Sequence, residues 1–327
     1  MIGITMGCPA GIGPEIIIKV FSKNPDWMIQ KRVVVYGDPG ILKRAMEFVG
    51  FDVPLVDLES KDYGIPLIPV TNLDPNEIPV GKATPITGMA SYEYVVAATK
   101  AALNNQISAV VTCPITKEGL RLCGLPYPGH TEILGELTNT KDYLMMLRGP
   151  RLAVVLVTIH CKLREVPKLI TEEKVFKTIT IVNESLKKDF GVSSPKIAVS
   201  GLNPHAGEGG LFGDEDDRII KPAIEKAREK GIDCSGPYPP DTVFYRALKG
   251  EFHACVAQYH DQGLIPLKLV HFEDGVNVTL NLPIVRTSVD HGTAYDIAGS
   301  GTANPISLEA AINTAKFIVQ CRKSYQS

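Results

Sequence analysis

Three histidines of this chain stand in the same local context. His160 ends "LAVVLVTIH", His205 ends "KIAVSGLNPH" and His260 ends "ACVAQYH", each just beyond a short apolar, β-branched run. Such runs read as buried strands, so each imidazole is expected just past a strand's carboxyl end. In open α/β sheets that edge is where ligands bind. The intervals of 45 and 55 residues exclude a local zinc finger, so the rings can meet only through the tertiary fold. Three neutral imidazoles with an open position suit a catalytic divalent metal. A single histidine after a strand is more commonly a hydrogen-bonded loop residue. The metal reading comes from the repetition, in three of seven histidines. The surroundings add to it. "GLNPHAGEGGLFGDED" is rich in glycine among polar groups, as suits a loop that approaches a ligand closely. "HDQG" sets Asp261 beside His260, where a metal-bound imidazole usually has a carboxylate partner. The plainer reading of Asp261 is a turn residue.

Other segments could hold an anion. Pro128-Gly129-His130-Thr131 directly precede a helical pattern, "EILGEL", and a helix start favours a negative ligand. The plainer reading there is an N-cap by Thr131. Lys268, Asn277 and Arg286 fall in "LIPLKLVHFEDGVNVTLNLPIVRTS", a segment otherwise largely apolar and β-like. A lysine and an arginine in such segments need partners or an exit to water. A phosphate, a carboxylate or a structural ion pair would each serve. "MGCPAGIGPE" is a glycine-rich turn between a strand and a helix, with Pro14 suited to the first helical turn. It is not G-x-G-x-x-G, and G-x-x-x-x-G-K-[ST] occurs nowhere, so neither a Rossmann fingerprint nor a P-loop is supported.

The elements that must position these residues alternate along the chain. "IGIT" precedes "GPEIIIKVFSK", "RVVVYG" precedes "GILKRAMEFVG", and "SYEYVVAATKAALNN" precedes "SAVVTCPI". Later "LAVVLVT" precedes "EEKVFKTITIVNESLKKDF", "KIAVSGL" precedes "DEDDRIIKPAIEKAREKG", and "ACVAQY" follows the helical "DTVFYRAL". A final helix is read in "SLEAAINTAKFIVQCRKSY". The alternation predicts α/β layers on a mainly parallel sheet. No repeat, low-complexity tract or floppy linker breaks the pattern. At 327 residues, 44% apolar and 21% charged, the chain can build a substantial core. A net charge of −2 without a block of lysine or arginine lacks the electrostatic footprint of a nucleic-acid binder. No stretch reaches the ~20 apolar residues of a spanning helix, so no membrane is expected. The N-terminus reads as a first strand, not a signal peptide. Seven cysteines, none in a C-x-x-C pair, read as reduced core thiols and point to the cytoplasm.

Taken together and in order, "GCPAGIGPE", "PGHTE", "GLNPHAGEGGLFGDED", "YHDQGLIPLK", "GVNVTLNLPIVRTSVDHGTAYDIAG" and "ANP" resemble the 4-hydroxythreonine-4-phosphate dehydrogenase family across nearly the whole chain. That family is similar in fold to the isocitrate and isopropylmalate dehydrogenases. The resemblance implies a three-layer α/β/α fold of two subdomains with a cleft at their interface. The expected division is 1–125 plus 287–327 on the nucleotide side and 126–286 on the metal and dimer side. It implies a homodimer whose metal is held by His160 and His205 of one subunit and His260 of the other. Substrate contacts map onto His130, Thr131, Lys268, Asn277 and Arg286. The adenosine end of NAD or NADP maps along His291, Asp296, Ala303 and Asn304. Where the family commonly reads "GDPAGIGPE", Cys8 replaces the aspartate, and a small buried residue is the expected role.

The implied substrates carry a C4 phosphate and a C3 hydroxyl. Hydride leaves C3 for NAD(P)+, and the β-keto acid formed loses CO2. The cation, with zinc favoured over cobalt, manganese or magnesium, lowers the pKa of the bound hydroxyl. Asp241, opening "DTVFYRAL", and Asp261 are positioned to take that proton; the plainer reading of Asp241 is a helix cap. With an amine at C2 the substrate is 4-phosphooxy-L-threonine, whose product feeds pyridoxal phosphate synthesis. With a hydroxyl at C2 it is 4-phospho-D-threonate or 4-phospho-D-erythronate, giving dihydroxyacetone phosphate. A metal-dependent lyase or hydrolase acting on a phosphorylated sugar acid would share the histidines but not "HGTAYDIAGSGTANP". A phosphometabolite sensor would have little use for an open metal site.

Overall fold

The computed structural model describes residues 1–326 and contains two compact units. The first comprises residues 1–141 and 282–319; the second comprises 142–281 and the chain from Gln320 on. The first boundary lies later than the sequence suggests. Residues 126–141 stay with the first unit because the helix at 130–137 packs on the helix at 85–103.

The first unit opens with β1 (Ile2–Thr5), α1 (Gly13–Lys23), α2 (Asp26–Gln30), β2 (Val33–Gly37) and α3 (Pro39–Val49). It continues with β3 (Leu55–Val56), β4 (Ile65–Pro69), α4 (Pro85–Leu103), β5 (Ala109–Thr112), α5 (Lys117–Leu122) and α6 (His130–Leu137). The second unit runs through β6 (Leu144–Arg148), β7 (Ala153–Leu156), α7 (Val166–Leu169), α8 (Glu172–Phe190) and β8 (Ile197–Ser200). After these come α9 (Lys221–Glu229), β9 (Cys234–Tyr238), α10 (Pro240–Leu248), β10 (Ala254–Ala257), α11 (His260–Val270) and β11 (Val276–Leu280). Last are β12 (Val285–Val289) and α12 (Ile306–Gln326).

In the first unit the strand order is β3-β4-β2-β1-β5-β12, all parallel. Its central strands are buried along their whole length, as β1, β2, β5 and β12 show. Strands covered on both faces read as unbroken apolar runs rather than alternations. In the second unit the order is β11-β6-β7-β10-β8-β9. There β7, β10, β8 and β9 run parallel, while β6 is antiparallel to both neighbours. The core on these strands includes Val154, Leu156, Ala198, Cys255, Ala257, Phe244 and Leu267.

Local signals set several helix ends. Thr171 caps α8 by accepting from the Lys174 N–H, and Gly191 ends it in the left-handed region, φ 66°. Asp38 likewise caps α3, accepting from the Ile41 N–H at 3.1 Å. Helix α4 begins at Pro85, ahead of the expected "SYEYVV", because Thr84 and Thr87 form a capping box around Pro85. Lys268 corrects a larger misreading: it lies on α11, not on a strand. All seven cysteines are free thiols, and Cys8 is buried, its Sγ 3.2 Å from the Tyr295 hydroxyl. Among the described residues no helix is long and apolar enough to cross a membrane.

Candidate active site

The three histidines follow three adjacent, parallel strands of the second unit. Registers Leu156↔Ala257 and Val256↔Val199 bring the carboxyl ends of β7, β10 and β8 to one sheet edge. His160 follows β7, His260 opens α11 after β10, and His205 follows β8. The His160 and His260 rings lie 5.5 Å apart, tilted by 42°. Asp261 hydrogen-bonds to His260 Nδ1 at 2.7 Å. An imidazole that donates from Nδ1 to a carboxylate keeps the Nε2 lone pair for a ligand. The closing glycine of "HDQG" has its own reason. A Cβ on Gly263 would stand 2.5 Å from Val154 Cγ1, so α11 can lie close on β7 only with glycine there.

Side chains that the sequence reading missed tie this edge together. Thr158 Oγ1 donates to the Gln258 carbonyl at 2.6 Å. Gln258 Nε2 donates to the Ser200 carbonyl at 2.7 Å, and Gln262 Nε2 to the Gly201 carbonyl at 2.8 Å. Gln262 Oε1 accepts from the Gln258 N–H at 2.7 Å. These buried bonds fix β7, β10 and β8 relative to one another at the points where the histidines leave.

His205 sits in unusual backbone. Residues 205–208 have φ of 52°, 53°, 80° and 44°, a left-handed turn in which only Gly207 is glycine. Each non-glycine residue there costs roughly 1–2 kcal/mol. The residues that lead into the turn are held by Asp216, fully buried, whose Oδ1 accepts from Leu202 N at 2.8 Å and whose Oδ2 accepts from Asn203 N at 3.1 Å. Asn203 Nδ2 adds a third bond to Oδ2, at 3.0 Å. The second unit also contains a cavity of about 700 Å³, lined by His205, Asp241, Tyr259, Asp261, Gln262 and Phe244 among others. That volume suits a small ligand. Asp241 lies in the first turn of α10, one residue past the opening Pro240, and the N-cap is Pro239, so Asp241 does not cap the helix.

Among the described residues of the single chain, no group of three His, Cys, Asp or Glu side chains is placed to hold one ion. The donor types nevertheless fit a divalent metal: imidazoles at one strand edge, one of them held by a carboxylate. Two other histidines of this unit do plain structural work. His253 Nδ1 accepts from the Lys196 N–H at 2.9 Å. Buried His271 pairs with Asp274 at 3.0 Å.

In the first unit, α6 starts at His130 with Gly129 as N-cap, so Thr131 lies inside the first turn and does not cap it. His130 Nε2 is shielded from solvent with no protein hydrogen-bond partner. Burial, with the nearby Arg286 charge, holds this imidazole well below its usual pKa; a hydrogen bond to the Cys113 backbone works the other way. His130 is therefore neutral. Arg286, 2% exposed on β12, donates from Nη2 to Thr112 Oγ1 at 2.7 Å. Burial pushes its guanidinium down to about 10, with Glu132 opposing. It remains a cation at neutral pH. Glu132, next to the predicted Thr131, was not singled out from the sequence.

In the second unit, Asn277 on β11 is half-buried and its Oδ1 has no protein partner. Lys268 is half-buried on α11. The remaining predicted residues follow one another in the loop after β12. His291 Nδ1 donates to the Gly292 carbonyl at 3.0 Å, leaving Nε2 shielded and unpartnered. Asp296 is exposed, whereas the Ala303 side chain is buried and its carbonyl already accepts from Lys19. Asn304 Oδ1 accepts from the Ile306 N–H at 3.1 Å, at the start of α12. A shielded polar atom left unbonded costs about 1–3 kcal/mol. Three such atoms, on His130, Asn277 and His291, fall on residues expected to bind ligand.

The α/β fold that carries these strand ends is found in other solved structures. A β-decarboxylating dehydrogenase from Thermococcus kodakarensis superposes with a TM-score of 0.50 at 16% identity, over 98% of this chain and 82% of that one. Residues 29–315 match the family described as pyridoxal phosphate biosynthetic protein PdxA, and the chain belongs to that family. A 4-hydroxythreonine-4-phosphate dehydrogenase from Desulfosudis oleivorans is 52% identical over 322 residues, 96% of this chain and 95% of the relative. A crystal structure of that enzyme from Klebsiella pneumoniae matches with a TM-score of 0.88 at 42% identity, covering 98% of each chain. A protein of Oceanobacillus iheyensis with the provisional name D-threonate 4-phosphate dehydrogenase is 46% identical, covering 96% of each chain.

Proposed function

We propose that this chain is a cytoplasmic, homodimeric dehydrogenase that oxidises C3 of 4-phosphooxy-L-threonine with NAD(P)+ and a divalent cation. The products are 3-amino-2-oxopropyl phosphate, CO2 and reduced nicotinamide, and the pathway served is pyridoxal phosphate synthesis. The observation that carries this reading is the alignment of His160, His260 and His205 on one edge of β7, β10 and β8. His160 and His205 of one subunit and His260 of the partner subunit hold the cation, zinc being favoured by imidazole ligands. A cation so held supplies Lewis acidity to the alcohol, and the nicotinamide supplies the hydride acceptor. His130, Thr131, Lys268, Asn277 and Arg286 bind and orient the phosphorylated acid. Neutral His130 offers a hydrogen-bonding nitrogen, while Arg286 offers a fixed positive charge. Asp261 is committed to His260, which leaves Asp241 to take the hydroxyl proton. His291, Asp296, Ala303 and Asn304 line the adenosine end of the cofactor.

Dimerisation is supported by exposed apolar side chains on two neighbouring helices. Tyr245 on α10 and Ile265 and Leu269 on α11 are 63%, 66% and 86% exposed. Apolar groups so gathered beside a cavity favour a partner surface. Identity with the provisional D-threonate enzyme favours one second reading, oxidation of 4-phospho-D-threonate or 4-phospho-D-erythronate to dihydroxyacetone phosphate.

The test is an absorbance assay of reduced nicotinamide with each phosphorylated acid, with NAD+ and with NADP+, before and after chelation. Turnover of the threonine phosphate supports the first reading. Turnover of the threonate or erythronate phosphate alone replaces it with the second. Product without reduced nicotinamide would mean a lyase or hydrolase.

A further inference from the structure

We infer that Glu15 and Lys19, on α1, are positioning residues for the nicotinamide nucleotide, setting the backbone shape of the loop at 299–303. The inference rests on the proposed placement of the cofactor along His291–Asn304. Glu15 is 2% exposed. Its Oε1 accepts from the Gly299 N–H at 2.6 Å and its Oε2 from the Gly301 N–H at 2.8 Å. One helical turn on, Lys19 Nζ donates to the Ala303 carbonyl at 2.8 Å. Residues four apart share a helix face. A single face of α1 therefore grips positions 299, 301 and 303 of "GSGTA".

The alternation decides what the loop can offer a ligand. Backbone groups of 299, 301 and 303 turn toward α1, while Ser300 and Thr302 are exposed. Ser300 Oγ lies 2.7 Å from Thr302 Oγ1 and donates to the Ile297 carbonyl at 2.6 Å. Gly299 and Gly301, with φ of 82° and 67°, take left-handed backbone without strain, and the freedom of glycine leaves the loop's shape to be fixed by these bonds. A Cβ on Gly301 would lie 2.1 Å from the Phe48 carbonyl oxygen. A carboxylate with one backbone N–H on each oxygen is a charge-assisted clamp. Glutamine would turn one of those acceptors into a donor facing a donor. The Glu15 carboxylate is spent on the loop, so it contributes shape rather than charge to the cofactor.

The test uses steady-state kinetics of the full-length holoenzyme and calorimetric titration with NAD+ or NADP+, whichever the wild type uses. Glu15→Gln and Lys19→Met should each raise the nicotinamide KM and Kd ~10-fold, a plausible scale for slight misplacement of a binding loop. The KM for the phosphorylated acid should stay within ~2-fold, the split expected of a site-specific binding loss. Glu15→Asp should recover part of the affinity. Lys19→Met removes one bond at a partly exposed side chain, so it decides the matter if Glu15→Gln fails to fold. Asp296→Ala, on the His291–Asn304 segment where the cofactor is placed, is the control. If Asp296→Ala weakens the cofactor and the folded α1 variants do not, the clamp is overturned and the cofactor placement stands. If none of them weakens it, both the placement and the clamp are overturned. Lower thermal stability with unchanged nicotinamide KM and Kd would also overturn the clamp.

Discussion

Two glycine-rich loops, one in each unit, are shaped by the same chemical device. In the second unit Asp216 accepts from the Leu202 and Asn203 N–H groups and steadies the turn that carries His205. In the first unit Glu15 accepts from the Gly299 and Gly301 N–H groups. The difference is distance along the chain. Asp216 reaches back 14 residues to Leu202, whereas Glu15 reaches across 284 to Gly299. The first clamp can form as soon as its own loop closes; the second needs the C-terminal return of the chain to its first helix. Their strain differs as well. The 205–208 turn puts ordinary side chains in left-handed backbone, while the 299–303 loop gives those positions to glycine.

The largest effect expected from this contrast is on the metal. Stripping divalent cations should lower turnover by at least ~100-fold through loss of Lewis-acid assistance, with recovery on adding them back. Calorimetric NAD(P)+ binding should survive, because the proposed cofactor segment at 291–304 is separate from the proposed metal ligands. Mixed dimers sharpen the point. Co-refolding His160→Ala with His260→Ala subunits should restore one intact site per mixed dimer if the two imidazoles act across subunits. No recovery would assign both to the same chain, as their 5.5 Å approach within one chain would allow.

Asp216→Ala comes next. It leaves two N–H groups without their carboxylate, at about 1–3 kcal/mol each, read from the denaturant midpoint. It should also weaken metal binding by ~10-fold, as loss of a ligand's support does, and spare the nicotinamide KM. Equal weakening of both would show that the loops are not separable. A glycine pair tests packing. Gly301→Ala meets the Phe48 carbonyl at 2.1 Å, whereas Gly209→Ala, φ 66°, meets nothing within 4 Å. The former should cost more than about 3 kcal/mol and the latter about 1 kcal/mol, by thermal denaturation.

The smallest effect lies outside both loops. The pKa of His130 is lowered by folding from the usual 6.5, so the unfolded chain takes up its proton first as pH falls. Stability from this group is present above pH 6.5 and is lost as pH drops toward the depressed native value. His130→Gln should flatten the denaturation profile in that window; an unchanged slope would show that His130 is not held neutral.

Much of this arrangement was legible residue by residue. The boundaries of α8 were written in Thr171 and Gly191. The strand-end position of each histidine followed from the apolar run before it. Lys268 was misread because "LIPLKLV" is a short apolar run, which periodicity alone does not assign to helix or strand. The plainer reading of Thr131, an N-cap, fails because Gly129 takes that place. Gln258 and Gln262 gave no signal, since an amide inside "AQYHDQG" reads as a polar loop until a neighbouring strand presents its carbonyls. Glu15 carried no hint of its partners at all.

The sequence by itself determined the alternation of strands and helices, the strand ends that carry His160, His205 and His260, and the family motifs. Those features depend on side-chain pattern over a few neighbouring residues, where chain connectivity fixes the geometry. Only the tertiary structure decided that β7, β10 and β8 are adjacent, that the His260 ring lies near His160, and that α1 grips a loop almost three hundred residues away. Hydrogen bonds between distant segments are chosen by which buried donors and acceptors the packed core brings within reach, and local pattern does not encode that choice.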